Sequence, residues 1–134
     1  MTNHHTVTPE EVTPDVIGET ERKAWATIKE IRRHYRNYNR MGDMPHPHPV
    51  CDYLDYIIGQ LEHVGVSGSY MVEQLEYALK SPTGKTGVDT VDNIKRTFAI
   101  TINDANRLVK EAEVKLLELA KVVAENKKER EGNL

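Results

Sequence analysis

Phe98 to Val123 reads FAITINDANRLVKEAEVKLLELAKVV, and Phe98, Ile102, Ala105, Val109, Ala112, Leu116, Leu119 and Val123 recur in it at spacings of four and three. That alternation draws one apolar edge along a helix, the seam of a rod packed lengthwise on other helices. A helix from about Asp89 to Lys128 follows, roughly 60 Å long at about 1.5 Å per residue. A compact chain of this size has a radius of gyration of only about 14 Å. Two outcomes fit: the rod projects and pairs with a second copy, or it bends near Ala99–Asp104, where β-branched residues and Asn103-Asp104 weaken helical preference. The seam favours self-association.

Upstream, Ala24, Ile28, Ile31, Tyr35 and Tyr38 keep the same rhythm with Trp25 beside them, giving a helix from about Glu19 to Arg40. Thr13-Pro14 has the order of a cap and first helical residue. Met41–Pro49 carries Gly42 and three prolines and must be irregular. Pro49 opens a second helix whose inward stripe is Val50, Leu54, Ile57, Leu61 and Val64. Gly65–Ser69 is expected to break it, and a third short helix, Tyr70–Lys80, buries Val72, Leu75, Ala78 and Leu79. The predicted fold is all-α: a bundle of three shorter helices plus one long C-terminal helix with coiled-coil-like heptads. Residues 1–14 form a flexible N-terminal arm, 15–129 a single α-helical domain and 130–134 a frayed tail.

Of the 134 residues, 29% are charged and 6% aromatic, the balance of a helical bundle with much solvated surface. No apolar run reaches the roughly 20 residues that span a bilayer, and Met1–Thr8 lacks the apolar core of a secretory signal. The lone Cys51 excludes an internal disulfide. A cytoplasmic protein, of the producing or a host cell and without a membrane partner, is expected.

The net charge of −3 hides a segregation. Residues 22–40 hold seven Lys/Arg against one Glu, whereas residues 41–93 hold two Lys against eight acids. At about 100° per residue, Arg22, Lys29, Arg33, Arg36 and Arg40 share a sector of roughly 60°, away from the apolar stripe. Such a ridge suits an acidic protein face, an anionic ligand or a nucleic-acid backbone. It could equally be neutralised within the assembly by Asp52, Asp55 and Glu62.

Two clusters could carry chemistry. His46, His48 and Cys51 are ligand types that zinc favours, but no second ligand pair follows at fixed spacing, and they read as linker and core residues. Glu73 and Glu76 stand three apart on one helix, and Asp89 and Asp92 repeat the spacing. Paired acids on facing helices can hold Mg²⁺ against a triphosphate. In these residues the chain resembles the all-α nucleotide pyrophosphatases of the MazG and dimeric dUTPase type, with Asp89 where that pattern has Glu. The resemblance implies Glu73, Glu76 and Asp92 as metal ligands, and Asp89 as a fourth or as the base orienting water. A structural alternative makes Asp89 a helix cap and Asp92 a partner of the helix dipole. Gly84-Lys85-Thr86 is no P-loop, because Leu79 occupies the position of the required glycine.

The expectation is a small non-catalytic α-helical binding or adaptor protein without a cofactor, similar in class to phage-type accessory factors and inhibitors. It would act as an oligomeric scaffold that binds a host protein or sequesters an anionic ligand through the basic ridge. The Mg-dependent pyrophosphatase is the alternative.

Overall fold

Among the described residues three long helices pack side by side, α1 (Pro14–Met41), α2 (Pro49–Lys80) and α3 (Gly84–Gly132), preceded by a 3₁₀ turn at Pro9–Glu11. The structure is a computed structural model that describes residues 6–80 and 84–132, the side chains of 84–89 excepted. Among the described residues there is no strand, and no helix is long and apolar enough to cross a membrane.

Local chemistry sets the ends of α1. The Thr13 hydroxyl accepts from the Val16 amide at 3.2 Å, and Pro14 takes the first helical position. Gly42 closes the helix in the left-handed region at φ 72, a conformation that favours glycine. The amides of Gly42 and Asp43 return to the carbonyls of Asn39 and Tyr38 at 3.1 and 2.8 Å. At the start of α2, Pro49 again leads, and the His48 ring nitrogen accepts the Val50 amide at 3.1 Å.

The expected break at Gly65–Ser69 is not there. α2 runs unbroken for 32 residues, so the separate second and third helices are one. The glycines serve packing. A Cβ on Gly65 would lie 2.5 Å from Cε2 of Trp25, and one on Gly68 would lie 2.4 Å from a carboxylate oxygen of Glu21. Both glycines are buried beneath α1, between the two halves of the core. Glycine weakens an isolated helix by about 1 kcal/mol, but here its missing side chain is what lets two helices approach.

The larger half of the core gathers Ala24, Ile28 and Ile31 of α1, Leu54, Ile57 and Leu61 of α2, and Ala105, Leu108, Ala112, Leu119 and Val123 of α3. The smaller half joins Val12 and Ile17 to Met71, Leu75, Ala99 and Ile102. Every residue of the expected α3 seam enters one half or packs against it, including the partly buried Phe98, Val109 and Leu116. α3 neither breaks nor bares its seam: α1 and α2 are themselves long enough to cover it.

Near both limits of the described residues, side-chain contacts join the chain to the bundle. Within the segment expected to form the arm, Val12 is fully buried, and the Asn103 side chain brackets Val7. Asn103 accepts the Val7 amide at 2.8 Å and donates to its carbonyl at 3.0 Å, which gives this mid-helix asparagine a partner outside α3. At the other end Arg130 donates to the Gly42 carbonyl at 3.2 Å and to the carboxylate of Asp43, which is buried. Arg130, near the end of α3, thus joins that helix to the α1–α2 turn. Residues 1–5 and 133–134 lie outside the described residues.

Candidate functional site

All five residues of the basic ridge are exposed on α1. Arg33 forks onto Glu30 within its own helix, Nε to Oε2 at 3.1 Å and Nη2 to Oε1 at 2.5 Å. That pairing holds the Glu30 carboxyl below its usual range and raises the Arg33 guanidinium further. Among the described residues, Arg22, Lys29, Arg36 and Arg40 have no ion pair. The acids of α2 do not neutralise the ridge. Glu62 takes Arg32, off the ridge, at 3.5 Å, and Asp55 accepts the Tyr35 hydroxyl at 3.0 Å.

A groove of about 1180 Å³ runs between the start of α1 and the middle of α3. Val16, Ile102, Val109 and Val114 are among the apolar side chains lining it, and Thr20, Lys23, Lys110 and Glu113 are among the polar ones. Tyr53 of α2 reaches its edge and donates to Glu111, which also accepts from Arg107 at 2.8 Å. Lys115 stands 5.0 Å over the Tyr53 ring centroid and 3.2 Å from Glu118. Nothing in the spacing of these residues flagged them, because the meeting of positions 53 and 111 depends on the register of α2 against α3.

The Tyr53 hydrogen bond is the main reason that the Glu111 carboxyl sits below the usual glutamate range; Arg107 adds to it and burial opposes it. A lowered folded-state pKa contributes stability above the ordinary carboxylate pKa, lost as pH falls through the lowered value. Glu111→Gln is therefore expected to flatten the acid limb of the stability–pH curve while leaving its slope near neutrality, far from the ionisation of Tyr53, unchanged. Urea midpoints measured across the acid range check this. An unchanged acid limb would remove Glu111 as its source.

The zinc-type residues are otherwise engaged. Cys51 is buried, with its thiol directed to the Pro45 carbonyl at 3.7 Å, and burial first, then Asp55, pushes the thiol pKa up. His48 caps α2, and His46 stands edge-on to Tyr35 with centroids 5.8 Å apart. Among the described residues no three His, Cys, Asp or Glu side chains come together to hold a metal ion. Glu73, Glu76 and Asp92 are exposed, and the Asp89 side chain lies outside the described residues. α3 begins at Gly84, so neither Asp89 nor Asp92 stands in its first turn and the expected cap is displaced.

Sequence reading also passed over a second surface, the outer face of α2. Tyr56, Val66, Tyr70 and Tyr77 are exposed there by 52, 73, 63 and 79%. The regularity of Tyr56, His63, Tyr70 and Tyr77 is plain only once α2 is continuous.

The chain matches no protein family, no curated protein and no solved structure.

Proposed function

We propose that this chain is a non-catalytic helical binding protein, a scaffold that presents the α1 ridge of Arg22, Lys29, Arg33, Arg36 and Arg40 to an anionic partner. One observation carries the reading. Four of the five cations have no ion pair among the described residues, although the acids of the adjacent α2 outnumber its bases. Exposed cations aligned on a rigid helix attract an acidic surface at long range and fix its register at short range. The helix itself is held by Ala24, Ile28 and Ile31 in the core, so binding need not order the chain.

A polyanion column tests this directly. The chain carries net −3 and would pass through heparin resin unless its positive charge were segregated. Wild-type protein is expected to be retained at low salt, and Arg33→Glu with Arg36→Glu to elute in the flow-through with the same helical circular dichroism. The same elution for both proteins would remove the ridge as the contact surface.

A further inference from the structure

We infer that the outer face of α2 is a self-docking surface, on which a second copy of the chain lays its own α2 antiparallel. The inference is independent of the α1 ridge, so either can fail alone. It also moves self-association away from α3, whose seam is covered from within the chain.

Tyr56, His63, Tyr70 and Tyr77 recur at seven-residue intervals, and Gly59, Val66, Glu73 and Lys80 follow each by three. All eight are exposed on one continuous helix. They form the two rows of a coiled-coil seam, opposite the stripe that meets α1 and α3. Four of the nine large apolar side chains exposed among the described residues belong to it. Such a patch on a water-facing helix marks an interaction surface.

The chemistry of the rows selects the occupant. In a parallel pair each residue meets its own copy, so Glu73 faces Glu73 and Lys80 faces Lys80. An antiparallel pair brings one row onto the other. Gly59 then receives the ring of Tyr77, and Val66 packs on Tyr70. Glu73 faces His63, and the Lys80 ammonium comes over the ring of Tyr56. The four contacts set small against large, apolar against aromatic, a carboxylate against an imidazole N–H, and an ammonium over a ring, and the two-fold axis makes each one twice. The seam from Tyr56 to Lys80 is about 36 Å long. Ser67 and Ser69 flank the axis with small side chains, and Glu62, at the margin, is held by Arg32 of its own chain.

Light scattering at about 50 µM on the full chain is expected to give twice the 15.3 kDa chain mass. Val66→Glu with Tyr70→Glu, both at exposed positions, is expected to restore the single-chain mass with unchanged helicity, raising the dimer Kd more than about 30-fold. Under mild oxidation Gly59→Cys with Tyr77→Cys should yield a covalent dimer that neither single cysteine yields. Three results would overturn the inference: wild-type protein at single-chain mass, as a foreign basic helix as the true occupant would leave it; a double-glutamate variant that stays dimeric; or single cysteines that cross-link as well as the pair, which means parallel packing.

Discussion

Gly65→Val is expected to destabilise the fold by about 2–3 kcal/mol, the cost of overpacking a rigid contact. The new Cβ would start 2.5 Å from the Trp25 indole, and the other indole atoms nearby, Cζ2 and Nε1, are each at 2.7 Å. A large ring held between two helices cannot withdraw as the tip of a flexible side chain can, so α1 and α2 must separate. Valine's better helix propensity than glycine's recovers only a few tenths of a kcal/mol. Urea unfolding measures the loss, and Trp25→Ala in the same chain locates its cause. If the indole is the obstacle, the double variant loses less than the sum of the singles. Full additivity would place the strain elsewhere.

Leu119→Ala is expected to cost about 2–4 kcal/mol, the range for a leucine lost from a packed core. Leu117→Ala, two residues away, is expected to stay within about 0.5 kcal/mol. Leu119 is fully buried in the cluster that contains Ile31, Leu54 and Ile57, whereas Leu117 is 70% exposed. The pair reports which edge of α3 faces inward. Because the buried edge meets α1 and α2 of its own chain, the difference between the two variants should not change with protein concentration. A difference that vanishes on dilution would mean that a second chain covers the seam.

The helical periods, the Thr13-Pro14 start and the α3 seam were legible because each rests on local spacing or capping. Two readings failed for one physical reason. Gly65 and Gly68 look like breakers until a neighbour needs the room, and Asn103 looks like a weak point until Val7 supplies a partner. In both, tertiary contact overrides propensity, and the contacting residue lies far away in sequence. The exposure of the ridge could be read from the helical wheel, and its positions are exposed. That four of its five cations have no ion pair among the described residues could not, since that depends on Arg32, not a ridge residue, taking Glu62. The Tyr53–Glu111 contact needs the register of two packed helices, which no local pattern specifies. The mistaken break in α2 also concealed the tyrosine row, since a face divided between two helices has no common direction.

The whole arrangement rests on α2 as one continuous helix whose inner edge covers α3 and whose outer edge is exposed on the single chain. Spin labels at Asp52→Cys and Glu76→Cys in a Cys51→Ala background, diluted with unlabelled chain, measure this by pulsed dipolar spectroscopy. A continuous helix sets the label positions about 36 Å apart, and a single narrow distribution near that value is expected. A dominant distance below about 25 Å, as a chain folding back at Gly65–Ser69 would give, contradicts the account.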